Sequence, residues 1–137
     1  MDENHPALVA ARRSWERVMA GDREGWLALM ADDVCIEDPV GEAPTNPTGE
    51  GVRGKEAVSA FFDANIAPNR LDMRPQESYV AGDESGHVLE ITTTFPDGSS
   101  AWLRGVFTYR VDTEGLITNL RGYWAVEDMT FEGPPAG

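Results

Sequence analysis

The sequence predicts an α+β domain: a cone-like, curved antiparallel sheet packed against three N-terminal helices. Two observations carry this. Apolar residues recur at three- and four-residue steps up to about residue 67, and alternate at every second position beyond about residue 71. Helices first, then strands joined by short turn signals, place the helices over one concave face of a meandering sheet. At 137 residues the chain is expected to be one domain, residues 1–137, with a core that needs no disulfide or metal to hold it.

Residues 1–5 are polar and are expected to fray. Pro6 opens a helix with Leu8, Ala11, Trp15 and Val18 on one stripe, and Gly21 closes it. Asp22 caps a second helix whose apolar positions include Trp26, Leu29 and Met30. Residues 34–38 read as a short β-branched strand, and 42–54 as a loop rich in Pro, Thr, Gly and Glu. Lys55 opens a third helix to about residue 67, with Val58, Phe61, Phe62 and Ile66 on one stripe and Pro68 as its stop. The strand over 71–81 carries Pro75, which marks an edge or a bulge. Strands follow over 87–95, 101–111 and 116–126, separated by Pro96-Asp97-Gly98-Ser99 and Asp112-Thr113-Glu114-Gly115. Residues 128–137 read as a flexible tail with no core signal.

Eleven basic and 24 acidic residues give a net charge of −13, which disfavours nucleic acid, phosphate and anionic membranes as partners. No apolar run approaches the ~18 residues of a membrane span, and no signal-peptide pattern is present, so a cytoplasmic location is expected. Cys35 is the single cysteine, expected to be a small buried hydrophobe. His5 and His87 lack ligand spacing, so neither a metal site nor a nucleophilic triad can be assembled. Gly49-Glu50-Gly51-Val52-Arg53-Gly54 matches G-x-G-x-x-G, but it lacks a preceding strand and a βαβ unit, and Glu50 would oppose a pyrophosphate.

The informative stretch is Cys35-Ile36-Glu37-Asp38-Pro39-Val40-Gly41. Strand alternation puts Val34, Ile36 and Asp38 on one face and Cys35 and Glu37 on the other. Asp38 thus ends an apolar row, just where Pro39 takes the chain out of the ladder. A carboxylate aimed inward there is a candidate general base, because desolvation raises its pKa toward the working range. An aspartate before proline also commonly hydrogen-bonds its own turn, and spacing alone leaves both readings open.

Glu37-Asp38-Pro39-Val40-Gly41, preceded by Ala31-Asp32-Asp33-Val34, resembles the first-strand motif of the Δ5-3-ketosteroid isomerases, within the nuclear-transport-factor-2-like, SnoaL-like superfamily. The similarity runs from about Ala20 to Ile66 and returns weakly over the last two strands. It implies that Asp38 is the base that shuttles a proton beside a ketone, without cofactor or metal. It also implies a hydrophobic, steroid-like guest and a homodimer through the outer sheet face, where Trp102, Val106 and Tyr123 stand among arginines. Val18, Phe62, Phe107, Leu120 and Trp124 align with lining positions. Leu103 shares its strand face with Phe107. Gly105 and Gly122 interrupt apolar strand faces and either hollow out the pocket or mark bulges.

The family's oxyanion donors are absent. Its helix tyrosine falls at Ser14, its protonated aspartic acid at Gly105, and its supporting tyrosine at Phe62. Trp124, with an indole N–H, ranks first as a replacement donor and Ser14 second; a buried water or a backbone N–H beside Gly105 is the remaining option. The alternative function is a steroid-binding protein that does not turn its ligand over. A third is another reaction on the same cone, such as cyclisation or epoxide hydrolysis.

Overall fold

The computed structural model describes residues 1–135. Helix α1 (Pro6–Ala20) begins at His5, whose ring accepts the Ala7 N–H, and ends at Gly21 with φ 67°, a left-handed position that favours glycine. His5 also reaches the Gly82 carbonyl through Nε2 at 2.9 Å, so the expected fraying stops short of this residue. Helix α2 (Arg23–Leu27) is capped by Asp22, which accepts the Gly25 N–H. It is shorter than its apolar pattern suggests, because Met30 already belongs to the next strand.

Strand β1 (Met30–Glu37) is followed by β2 (Val52–Arg53), α3 (Lys55–Asn65) and β3 (Arg70–Ala81). Then come β4 (Glu84–Thr94), β5 (Ser100–Val111), β6 (Ile117–Tyr123), a 3-10 turn (Val126–Asp128) and β7 (Thr130–Glu132). The sheet runs β2-β1-β6-β5-β4-β3, with β7 paired to β5. All pairs are antiparallel except β1 with β6. The 42–54 loop thus contains a strand, since Val52 and Arg53 pair with Ile36 and Cys35. The 128–137 segment likewise is not all tail: Thr130, Phe131 and Glu132 pair with Trp102, Ala101 and Ser100, while residues 136–137 lie outside the described residues.

Both readings of Pro75 hold: β3 is an edge strand, and its register with β4 shifts between Pro75 and Glu77. A second shift, between Arg110 and Val111, brings Ile117 opposite Val111. Ile117 is therefore fully buried, where strict alternation from Leu120 would have chosen Leu116. The helices close the inner face: α1 lies across β3, β4 and β5, and α3 packs on β1. At their junction Trp15, His87 and Tyr109 meet edge to face. His87 is held at both ring nitrogens, by Ser78 and Ser85 at 2.7 Å each. Burial lowers its pKa to about 4.

Candidate active site

Between helices and sheet lies a cavity of about 210 Å³, larger than the roughly 150 Å³ apolar cavity known to accept benzene. Its floor is the inner face of β5, where Leu103, Phe107 and Tyr109 lie an even number of residues apart and so share one side of the strand. Val18 from α1 and Leu120 from β6 close the sides. Toward the rim stand the half-exposed Phe61, Asn65 and Asn69 of the α3 region, with Leu71 on β3. Among the lining residues there is one ionisable carboxyl, that of Asp38, and no arginine, lysine or histidine.

Asp38 sits one residue past the end of β1, and its peptide bond to Pro39 is cis. The turn behind it is pinned by the buried Asn46, which donates to the Pro39 carbonyl at 3.0 Å and accepts the Gly51 N–H at 2.9 Å. Thr45 donates to the Asp38 carbonyl, and the Val40 N–H binds the Gly122 carbonyl of β6 at 2.8 Å. These bonds fix the backbone on both sides and leave the Asp38 side chain free of its own turn. Its Oδ1 instead accepts the Trp124 indole N–H at 2.6 Å. Burial pushes its pKa up to about 6, against the opposing effect of that hydrogen bond. No cation faces it in the cavity to pull the value back down.

Gly122 makes this pair possible. A Cβ there would stand 2.7 Å from Asp38 Oδ1, 2.9 Å from the Phe107 ring and 3.0 Å from Trp124 Nε1. A Cβ at Gly105 would stand 2.8 Å from the Tyr123 carbonyl oxygen and 3.2 Å from the Trp124 Cβ. Neither glycine lines the cavity. The space each leaves is taken by Trp124 and the chain around it, so the expectation that they contact a guest is corrected to one of close packing. Phe62 is corrected too: it is buried against Trp26, and its neighbour Phe61 faces the cavity. Val18, Leu103, Phe107, Leu120, Trp124, Ser14 and Asp38 all reach the cavity.

Trp124 is also not free to act as an oxyanion donor, because its single N–H is committed to Asp38. Ser14 accepts the Trp26 indole N–H at 3.1 Å. Beside it in the cavity wall is Tyr109, whose hydroxyl accepts the Trp15 indole N–H at 2.9 Å. Two-residue alternation from Phe107 puts Tyr109 on the same strand face, which does not by itself make it a polar group of the site. The available signal is its phenol in an otherwise apolar row, since a buried tyrosine hydroxyl needs a partner.

A helix-covered curved sheet enclosing one carboxylate in an apolar hollow defines a nuclear-transport-factor-2-like cone domain. The chain belongs to the SnoaL-like domain family, which residues 11–120 match. It is 27% identical to a steroid Delta-isomerase of Nocardioides simplex over 121 residues, covering 88% of this chain and 91% of that one. It is 31% identical to the epoxide hydrolase LasB of Streptomyces lasalocidi over 88% of this chain, but spans only 42% of that relative's length. Among solved structures, the Δ5-3-ketosteroid isomerase from Mycobacterium sp. is 56% identical with a TM-score of 0.91, covering 93% of this chain and 99% of that one. RV0760c from Mycobacterium tuberculosis in complex with estradiol-17β-hemisuccinate is 55% identical with a TM-score of 0.91, covering 93% and 100%.

Proposed function

We propose that this protein is a cofactor-free isomerase of hydrophobic ketones, with 3-oxo-Δ5 steroids as substrates and Asp38 as the general base. The observation that carries this is the Asp38 carboxyl, held by Trp124 at 2.6 Å in a mostly apolar cavity and poised at a pKa of about 6. Such a group is ionised at neutral pH, yet basic enough to take a proton beside a carbonyl and acidic enough to return it. Val18, Leu103, Phe107 and Leu120 supply apolar walls for a rigid, greasy guest. Likeness to steroid isomerases supports the same substrate class. Epoxide opening would call for a second acidic group or an arginine in the cavity, and Asp38 stands there alone.

The test is growth of conjugated-enone absorbance on adding a Δ5-3-ketosteroid. Wild type is expected to turn over, and Asp38→Asn to lose at least about two powers of ten in kcat. Equal rates in the two proteins would remove Asp38 from the reaction. An inert wild type that still binds the steroid would make the protein a carrier.

A second copy of the chain is the partner we propose for the outer sheet face, where Trp102, Val106 and Tyr123 are exposed and Arg121 lies over the Tyr123 ring at 5.5 Å. A monomer mass by sedimentation at micromolar concentration would contradict it.

A further inference from the structure

We propose that Tyr109 and Ser14 form the hydrogen-bond donor for the carbonyl oxygen of the guest, with the Tyr109 hydroxyl as the group in direct contact. The inference rests on the isomerase reading of the same cavity and adds the half of the chemistry that Asp38 cannot supply. A carboxylate only accepts hydrogen bonds. Charge that builds on a ketone oxygen during proton removal needs a preformed donor.

Proton counting points to the pair. Ser14 is 2% and Tyr109 1% exposed, and both line the cavity. Each oxygen already accepts an indole N–H, from Trp26 and Trp15 respectively. Each hydroxyl still carries one proton of its own. The two hydroxyls neighbour one another, so a bond between them can use one of the two protons. The other meets no acceptor in the hydrogen bonds of the described residues, and both hydroxyl-bearing side chains border the cavity. A buried donor in that position is unfavourable when the cavity is dry and is satisfied when a carbonyl oxygen arrives.

The indoles do more than hold the hydroxyls in place. A hydroxyl that accepts a hydrogen bond becomes a better donor, because the bonds polarise one another. Burial, with the Asp38 charge adding to it, raises the Tyr109 pKa above the ordinary phenol value. The phenol therefore stays protonated and donates without giving up its proton.

The step balances without any co-reactant. Asp38 takes the proton from the carbon between the carbonyl and the alkene. The C–H electron pair becomes a new C=C bond, and the carbonyl π pair moves onto oxygen, where the hydrogen bond from the Tyr109 hydroxyl shortens. The carbonyl then re-forms, the electron pairs move one bond along, and Asp38 returns the proton to the far carbon of the dienolate.

Tyr109→Phe keeps the ring and removes the donor. Its kcat is expected to fall by about two to three powers of ten with KM nearly unchanged, and Ser14→Ala by about tenfold. A purely structural role would not move the second readout, the preference of the protein for estradiol over its 3-deoxy analogue. That preference is expected to be about tenfold or more in wild type and to vanish in Tyr109→Phe. The third readout needs no variant: the C=O stretch of a conjugated 3-ketosteroid bound to wild type should lie below its value in hydrocarbon solvent. An unshifted stretch, or a Tyr109→Phe protein with unchanged kcat and preference, overturns the donor assignment, while loss of turnover in Asp38→Asn would leave the base in place. If wild type is inert, the isomerase reading falls, and the stretch and the preference alone decide the donor.

Discussion

The Trp124 indole donates to Asp38 Oδ1 at 2.6 Å across 86 residues of chain. This bond aims the carboxylate, stabilises its charged form, and occupies the one donor that Trp124 has. It joins the strand that begins the sheet's inner row to the residue that follows β6, and it depends on the missing side chain at Gly122.

Replacing Trp124 by Phe removes the donor that holds the Asp38 pKa down. The pKa should then rise further above 6, and the acid limb of kcat/KM should move to higher pH by about one unit. A pH–rate profile of Trp124→Phe beside wild type measures the displacement.

Asp38 also makes a stability prediction opposite in sign to that of a salt-bridged carboxylate. Its folded pKa, about 6, lies above its ordinary 3.8, so between those values the folded state binds more protons than the unfolded state. Stability from this group is present at low pH and lost as pH rises through 6. Asp38→Asn should therefore be more stable than wild type at pH 7.5, by about 2–3 kcal/mol as an upper figure, and the advantage should vanish near pH 4. Urea unfolding of both proteins across that range reads the difference directly.

Gly122→Ala should damage the site without straining the backbone. The new methyl would meet Asp38, Phe107 and Trp124 at 3.0 Å or less, so one of them must move. A stability loss of about 1–3 kcal/mol is expected, together with a fall in kcat larger than that of Gly86→Ala, where an added Cβ meets only the Thr108 methyl at 4.0 Å. Thermal melts and the enone assay check both parts.

Asn46→Ala should lower stability by about 1–3 kcal/mol, because it leaves the buried Pro39 carbonyl and Gly51 N–H without partners. Since those bonds set the turn that carries Asp38, kcat should fall as well, and Asn46→Asp should lose at least as much stability at neutral pH, because it buries a carboxylate against the Pro39 carbonyl oxygen. Chemical denaturation and kcat of the two variants test this.

Asp38 was legible because a two-residue period and a following proline are local facts. Its partner was not. That Trp124 reaches Asp38 depends on strand register and on the turn beyond β6, neither of which alternation encodes. The same limit explains Phe61 and Phe62: a helical stripe names both, but adjacent helix residues point about 100° apart, and only the packing of α3 on β1 decides which one meets the cavity. Ile117 became core in place of Leu116 through a register shift, which leaves no mark in the apolar pattern. Strand β7 escaped because three exposed residues pairing with β5 bury nothing that would show as a hydrophobic signal.

The most direct measurement is kcat/KM for a Δ5-3-ketosteroid, followed by enone absorbance from pH 4.5 to 8 in wild type and Asp38→Asn. Wild type should be level above pH 7 and fall about tenfold per pH unit well below an inflection near 6, with Asp38→Asn low throughout. A flat wild-type profile, or an Asp38→Asn profile that overlies it, would mean that Asp38 is not the base.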